Sequence, residues 1–219
     1  MFTKKNYPDF WNKYAASFTN GLPKLVVDNT FVVLDTETTG FDIKEDRILS
    51  IGALVLHQNM IQPKQAFEVF LEQKHYDKST AKIHGILRTG KQKRITELEG
   101  LQRTLKILEN SVLVAHHTGY DVAMLNSALK RNGLPKLKNK TLDTSKLYFK
   151  TLGRIKQKES NRHSSLDDLA KMYDISKKDR HTALGDAYIT AIAFLRILEK
   201  LKPVTLNELL RQDGPFKLW

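Results

Sequence analysis

The chain has 219 residues, 41% hydrophobic and 27% charged, a balance typical of a soluble globular protein with one domain and short additions. It contains no run of 18 apolar residues, which excludes a membrane-spanning helix of ordinary length, and its first residues lack the apolar stretch of a secretory signal. Cysteine is absent, which excludes disulfides and thiolate metal sites and fits a cytoplasmic location.

The net charge of +12 favours a nucleic-acid partner, with a generic basic surface as the alternative. The charge is uneven along the chain. Residues 130–180 hold 15 Lys and Arg and 6 Asp and Glu, an excess of nine positive charges. Aromatic side chains lie among these cations, and this combination suits a single strand, whose phosphates pair with charge and whose bases stack.

The first predicted element is a short amphipathic helix in the leader, residues 1–29. Five aromatic residues recur there at helical spacing: Tyr7, Phe10, Trp11, Tyr14 and Phe18. We expect this stripe to pack on the rest of the protein, and docking of a partner is the alternative.

A buried strand is predicted next, because Phe31–Leu34 is a continuous apolar run. It leads directly into Asp35 and Glu37, which period-2 geometry places on the same side of the chain. Two adjacent carboxylates repel each other, and a hard divalent cation relieves that repulsion. A strand that simply ends in a polar turn at Gly40 is the alternative reading of so short a motif.

The remaining pattern alternates strands and helices and predicts one α/β domain. The predicted strands after the first cover residues 47–55, 60–72, 112–115 and 141–143, and the predicted helices cover 95–109, 122–131, 182–201 and 205–211. Ser165 is predicted to cap a further helix, with Asp168 in a box-like position. Residues 150–163 are predicted to form a basic loop.

Four acidic residues stand at the ends of these elements. Asp35 and Glu37 end the first strand, Asp121 begins the helix after the 112–115 strand, and Asp186 lies in the first turns of a late helix. His181 precedes Asp186 by five residues. Each has an ordinary explanation alone, since helix-start aspartates are common caps. Together they form a set suited to metal-assisted phosphodiester hydrolysis.

Four segments carry a resemblance to a known family: LDTETTG at 34–40, IHGI at 83–86, VAHHTGYD at 114–121 and HTALGDA at 181–187. In order and spacing they resemble the motifs of the DEDDh 3′–5′ exonucleases, which include the proofreading epsilon subunit of bacterial DNA polymerase III and its free-standing homologues. The resemblance covers about residues 30–200. It implies a ribonuclease H-like α/β fold with a mixed five-stranded sheet flanked by helices. The chain then divides into a helical leader (1–29), an exonuclease domain (30–201) and a helical tail (202–219).

The resemblance also implies roles for individual residues. Asp35, Glu37, Asp121 and Asp186 would bind two divalent ions, Mg²⁺ or Mn²⁺, and His181 would be the general base. The residues implied to contact the terminal nucleotide are Thr38, Thr39, Gly40, His84, Tyr120 and His117. At position 117 relatives usually carry Asn. We expect His117 to alter the details of the contact and to retain activity, because an imidazole can still donate one hydrogen bond.

The expected function is removal of nucleotides from single-stranded or frayed 3′ ends of DNA in proofreading or repair, releasing nucleoside 5′-monophosphates. A replicative DNA polymerase is the protein partner that the resemblance implies. The same chemistry on RNA 3′ ends stays open, because recognition of a 2′-hydroxyl is not visible in motif spacing. A non-catalytic, polymerase-associated scaffold that binds nucleic acid is the third hypothesis, although a pure binder does not need His181 beside Asp186.

Overall fold

A computed structural model describes residues 6–74, 81–82, 84–87, 92–152 and 164–214. Within this part, seven strands form one mixed sheet: β1 (Thr30–Thr38), β2 (Ile48–His57), β3 (Met60–Ile61), β4 (Phe67–Leu71), β5 (Arg94–Ile95), β6 (Val112–Ala115) and β7 (Thr141–Asp143). Their order is β5-β4-β2-β1-β6-β7, with β3 paired to β2. β2 is antiparallel to β1 and β4, whereas β6 and β7 continue the sheet in parallel with β1. The predicted mixed sheet is confirmed; its five longer strands are supplemented by β3 and β5, with two residues each.

Helices cover both faces of the sheet, as predicted. Those described are α1 (Asp9–Ala16), α2 (Glu97–Ile107), α3 (Gly119–Arg131), α4 (Thr144–Thr151), α5 (Leu166–Met172), α6 (Ala183–Leu201) and α7 (Leu206–Asp213). None of the helices in the described ranges is both long enough and apolar enough to cross a lipid bilayer.

The central strand β1 separates two hydrophobic cores. Val32 and Leu34 pack with side chains of α1, α2 and α3 on one face. Phe31 and Val33 pack with side chains of α4, α6 and α7 on the other. Continued alternation along β1 puts Asp35 and Glu37 on the second face, the one that α6 covers.

The structure differs from the sequence predictions in several elements, one of which is β5, where the start of the helix 95–109 was predicted. The predicted strand 60–72 is divided into β3 and β4 by a short 3₁₀ turn that begins at Pro63, because proline cannot donate a ladder hydrogen bond. Helix α4 was not predicted; it begins after Asp143, whose side chain accepts a hydrogen bond from the Ser145 backbone N–H. Of the predicted basic loop 150–163, residues 150–152 are described, and residues 153–163 lie outside the described part of the chain.

Polar side chains cap several of the helices, and the predicted cap at Ser165 is confirmed. Ser165 and Asp168 form a reciprocal capping box at the start of α5. Thr205 and Glu208 form another at the start of α7, and Thr182 caps α6 by accepting from the Gly185 N–H. The last of these caps fixes the start of the helix that carries Asp186.

The leader helix packs on the sheet through its aromatic stripe, as predicted. Trp11 and Tyr14 of α1 are buried in the first core, and Phe10 and Phe18 pack at its border. The Tyr14 hydroxyl donates to Asn139 Oδ1 at 2.6 Å and accepts from the Lys138 backbone N–H at 2.8 Å. The leader therefore contributes to the core of the protein. The division at residues 29 and 201 stays a prediction.

Removal of residues 1–27 is expected to lower the melting temperature by on the order of 10 °C. Truncation of one buried aromatic side chain costs about 3–5 kcal/mol, and each kcal/mol shifts the melting temperature of a domain of this size by about 2–4 °C. Differential scanning calorimetry on the truncated chain and on Trp11→Ala measures the effect, with the exposed Lys13→Ala as control. A truncated protein with unchanged stability would favour partner docking as the role of the leader.

Candidate active site

The structure brings three of the predicted carboxylates together at one end of the sheet. Asp35 and Glu37 project from the last residues of β1, and Asp186 projects from the first turn of α6. One carboxylate oxygen from each of the three lies within 4.8 Å of the others. Among the described residues these three side chains form a group with the geometry to hold a metal ion.

Asp121, the fourth predicted carboxylate, lies beside this group and outside the 4.8 Å cluster. It is in the first turn of α3 and is 3% exposed. Its Oδ1 accepts a hydrogen bond from Thr36 Oγ1 at 2.8 Å, so the residue between Asp35 and Glu37 fixes its orientation. Its charge helps to raise the pKa of Asp35 and of Glu37. Asp121 is therefore a buried, oriented carboxylate whose charge reaches the cluster.

A close approach between α6 and β2 brings Asp186 to the strands. Gly52 on β2 is paired with Asp35, and a Cβ atom at position 52 would lie 2.2 Å from the Leu184 backbone nitrogen. A residue with any side chain would push the start of α6 away. Sequence reasoning missed Gly52, although a glycine inside a strand pattern signals a close backbone approach.

Burial raises the pKa of every carboxyl in the group, and repulsion by other members of the group adds to the rise for Asp35 and Glu37. Burial, then the charges of Asp121, Asp186 and Glu37, raise the pKa of Asp35 well above its ordinary value. Burial and the Asp186 charge raise the pKa of Glu37 to about 8, and burial raises the pKa of Asp121 to about 7. Burial also raises the pKa of Asp186, against the Arg180 charge. The cluster therefore holds protons at neutral pH unless a cation compensates its charge.

Without divalent ions, Glu37→Gln is expected to be more stable than the unchanged protein at pH 8, by an amount that shrinks toward pH 5. A carboxyl with a raised folded pKa contributes stability that is complete below its unfolded pKa and is lost as pH rises through the folded value. The Glu37 value of about 8 places this loss between about pH 5 and pH 8, at up to about 1.4 kcal/mol per pH unit. Glutamine has nearly the same shape as the protonated glutamate and stays uncharged from pH 5 to pH 8.

Urea unfolding in EDTA at pH 5, 6, 7 and 8 measures this difference in the free energy of unfolding. Asp28→Asn, which changes an exposed carboxylate, is the matched control and is expected to follow the unchanged protein. A difference between Glu37→Gln and the unchanged protein that does not vary with pH would contradict the raised pKa.

The structure places His181 next to Asp186, as the motif implied. Its backbone N–H donates to Asp186 Oδ1 at 3.2 Å, and its φ of 66° holds the turn before α6 in the left-handed region. The side chain is exposed. An imidazole at this point is accessible to water and adjacent to the carboxylate cluster.

Arg180 is a component of the site that sequence reasoning did not single out. Its guanidinium Nη1 forms an ion pair with Asp186 Oδ2, and its Nε lies 3.4 Å from Asp167 Oδ1. No sequence signal distinguishes this arginine from the other cations of the basic 130–180 stretch.

Four of the residues implied to contact a nucleotide lie around the turn after β1. The hydroxyls of Thr38 and Tyr120 lie 2.7 Å apart, and both donate to the Gly40 carbonyl, at 2.8 and 2.7 Å. Thr39 is fully buried and donates to Asp46 Oδ1 at 2.6 Å, so its side chain supports the turn. Phe41, which sequence reasoning missed, is 82% exposed, with its ring 6.0 Å from that of Tyr120.

His117 precedes Tyr120 and its carbonyl accepts from the Tyr120 backbone N–H at 3.0 Å, whereas His84 lies on a cavity. The φ of His117 is 60°, a region in which Asn, Asp and His are enriched, so either Asn or His fits the backbone at this position. Its N–H donates to Asp143 Oδ1 at 3.1 Å. His84 lines a cavity of about 650 Å³ between β2, β4 and the start of α6, and Tyr120 is not among its described lining residues. The predicted roles of both histidines stay predictions.

Sequence comparisons identify the family. Residues 32–194 match the exonuclease family (RNase T). A PolC-type DNA polymerase III of Thermotoga petrophila is 31% identical over 196 residues, which cover 90% of this chain and 13% of the relative. The epsilon subunit of DNA polymerase III of Aquifex aeolicus is 28% identical over 177 residues, which cover 80% of this chain and 84% of the relative. The chain therefore belongs to the exonuclease family, and the resemblance read from its motifs is confirmed.

Solved structures confirm the ribonuclease H-like fold. E. coli exonuclease I in complex with a dT13 oligonucleotide matches with a TM-score of 0.70 and 16% identity, over 80% of this chain and 42% of that chain. Cell-death related nuclease 4 matches with a TM-score of 0.67 and 14% identity, over 79% and 64% of the two chains. This chain thus spans only part of the length of several proteins that it resembles.

Proposed function

We propose that this protein is a metal-dependent 3′–5′ exonuclease of the DEDDh type that hydrolyses DNA. The observation that carries the proposal is the convergence of Asp35, Glu37 and Asp186, with oxygens within 4.8 Å of one another, next to His181. The family membership supports the reaction class. The expected products are nucleoside 5′-monophosphates.

The donor set fits divalent ions. It consists of carboxylate oxygens, the ligands that Mg²⁺ and Mn²⁺ prefer, and burial followed by repulsion from neighbouring carboxylates raises the pKa of Asp35 and Glu37. Asp35, Glu37 and Asp186 would hold one ion, and Asp35 and Asp121 would hold the second. Two such ions activate a water, polarise the phosphate and neutralise the leaving oxygen.

The neighbouring side chains would complete the site. His181 would take the proton of the attacking water at a ring nitrogen, since imidazole titrates near neutral pH. The Thr38–Gly40 turn with Tyr120 would bind the terminal nucleotide, and His84 and His117 would extend that contact. The Thr36 hydroxyl keeps Asp121 oriented.

DNA is the proposed substrate and a replicative DNA polymerase the proposed partner. PolC-type and epsilon relatives are named as parts of DNA polymerase III, and the structural neighbour exonuclease I was solved with a DNA oligonucleotide. The basic 130–180 stretch would bind the single strand. Three of its cations, Lys156, Lys158 and Arg162, lie outside the described residues.

Digestion of matched substrates tests the proposal. The set is a 5′-labelled DNA strand, the same sequence as RNA, one duplex with a paired and one with a mismatched 3′ end, and a circular single strand, each with Mg²⁺, Mn²⁺ or EDTA. We expect a ladder shortened from the 3′ end of the DNA, faster for the single strand and the mismatched end, because a paired terminus must first be opened at a cost of a few kcal/mol. EDTA should abolish the ladder, and the circle should stay intact. Cleavage of the circle would contradict exonuclease action, and preferential shortening of the RNA would reassign the substrate.

A further inference from the structure

Arg180 links the carboxylate cluster to a second acidic side chain. Its side chain, 19% exposed, lies between Asp186 on α6 and Asp167 on α5. Nη1 pairs with Asp186 Oδ2, while Nε lies 3.4 Å from Asp167 Oδ1. One guanidinium can contact two carboxylates in this way because its donors point in fixed, divergent directions.

The Arg180 charge acts on the whole cluster. Burial is the largest cause of the raised pKa values of Asp35, Glu37 and Asp186, and the Arg180 charge opposes the rise in all three. Arg180 therefore supplies part of the positive charge that a divalent ion would supply. It does so through Asp186 Oδ2, while Oδ1 of the same carboxylate accepts from the His181 N–H.

We propose that Arg180 is a built-in counter-cation that partly neutralises the metal site and must release Asp186 when a divalent ion binds. The inference rests on the proposed function, because it assumes that Asp186 is an ion ligand. An ion with full access to the Asp186 carboxylate competes with the guanidinium for Oδ2 and repels its charge. Arg180 would therefore weaken ion binding and stabilise the ion-free protein. It is a positioning residue, with no direct part in the reaction.

Arg180 can remain paired with Asp167 when it releases Asp186. Asp167 also lies 3.4 Å from Lys177 Nζ. Burial acts to raise the pKa of Asp167, but the charges of Arg180 and Lys177 lower it, so this side chain stays a carboxylate. In Asp167→Asn, Asp186 would be the one carboxylate among the described residues still paired with Arg180, so Arg180 would be harder to displace. Loss of Asp167 and loss of Arg180 are therefore expected to change ion affinity in opposite directions.

Calorimetric titration with Mn²⁺ alone tests the proposal on the full chain. Arg180→Gln should bind Mn²⁺ roughly tenfold more tightly than the unchanged protein, equivalent to about 1.4 kcal/mol. Asp167→Asn should bind it a few-fold more weakly. The double variant should lie close to Arg180→Gln, because Asp167 contacts Arg180 and its direct charge is a smaller influence on Asp186 than the Arg180 charge. Arg196→Gln, on the exposed end of α6 where Arg196 pairs with Glu199, is the matched control.

Melting temperatures separate this role from a purely structural one. In EDTA, Arg180→Gln should melt below Arg196→Gln, because the ion-free cluster loses its internal cation. With saturating Mn²⁺ the difference should vanish. An equal loss of stability with and without Mn²⁺ would show that Arg180 serves packing alone and would overturn the inference.

Two titration results distinguish failure of the Arg180 inference from failure of the proposed function. If the unchanged protein binds Mn²⁺ and Arg180→Gln binds it equally or more weakly, the inference is wrong and the proposed function stands. If the unchanged protein binds no Mn²⁺, the metal site is wrong and the inference fails with it.

Discussion

Asp35→Asn is expected to slow DNA hydrolysis on the order of a thousandfold. Asp35 belongs to the carboxylate cluster with Glu37 and Asp186, and the Asp121 charge also raises its pKa, so Asp35 is the side chain proposed to hold both ions. Asparagine keeps the shape and removes the charge, and an amide is a poor ligand for a hard cation. Loss of about 4 kcal/mol of metal-assisted stabilisation of the transition state gives this factor.

Two measurements on purified, folded Asp35→Asn protein check this expectation: kcat/KM on a single-stranded DNA and a calorimetric Mn²⁺ titration. Mn²⁺ affinity should fall together with turnover. Asp28→Asn, which changes an exposed carboxylate in the leader, should keep both. Wild-type affinity and turnover in Asp35→Asn would exclude the two-metal assignment.

His181→Ala is expected to lower kcat by roughly 10²–10⁴, the range for loss of a general acid or base. The side chain is exposed, and its contact with the cluster is made by its backbone N–H to Asp186 Oδ1, which alanine keeps. The variant should therefore still bind Mn²⁺ and DNA, unlike Asp35→Asn. It should also lose the rise of rate with pH near neutrality.

A pH–rate profile at saturating Mn²⁺ tests this prediction, because ion binding keeps the carboxylates ionised across the range. His57→Ala is the matched control, since His57 lies at the far end of β2 from the site, paired with Thr30. A variant at position 181 with a normal rate and an unchanged profile would remove His181 from the proton transfer.

The β1 strand shows what sequence reasoning can and cannot predict about this fold. The apolar run Phe31–Leu34 predicted a buried strand with Asp35 and Glu37 at its end, and β1 ends at Thr38; its pairing with β2 along its whole length was not predicted. Cross-strand pairing is a property of the partner, so a local pattern cannot show it. Helix α4 was missed for a related reason: its Thr, Ser, Tyr and Phe residues have weak helix propensity, and burial of Leu147 and Phe149 stabilises it.

The site was predictable where the chemistry lies in motifs. Period-2 spacing placed Asp35 and Glu37 on one face, and the family resemblance brought Asp186 and His181 to them. The contribution of Arg180 was not predictable, because one cation among many in a basic stretch carries no local signal. Its pairing with Asp186 and Asp167 depends on how α5 and α6 pack.

The central claim is that these carboxylates bind two divalent ions, and anomalous diffraction from a crystal grown with Mn²⁺ tests it most directly. We expect two anomalous peaks about 3.5–4 Å apart. Asp35 should bridge them, with Glu37 and Asp186 on one ion and Asp121 near the other. A well-diffracting crystal with saturating Mn²⁺ and no anomalous peak within ligand distance of Asp35, Glu37 or Asp186 would contradict the account.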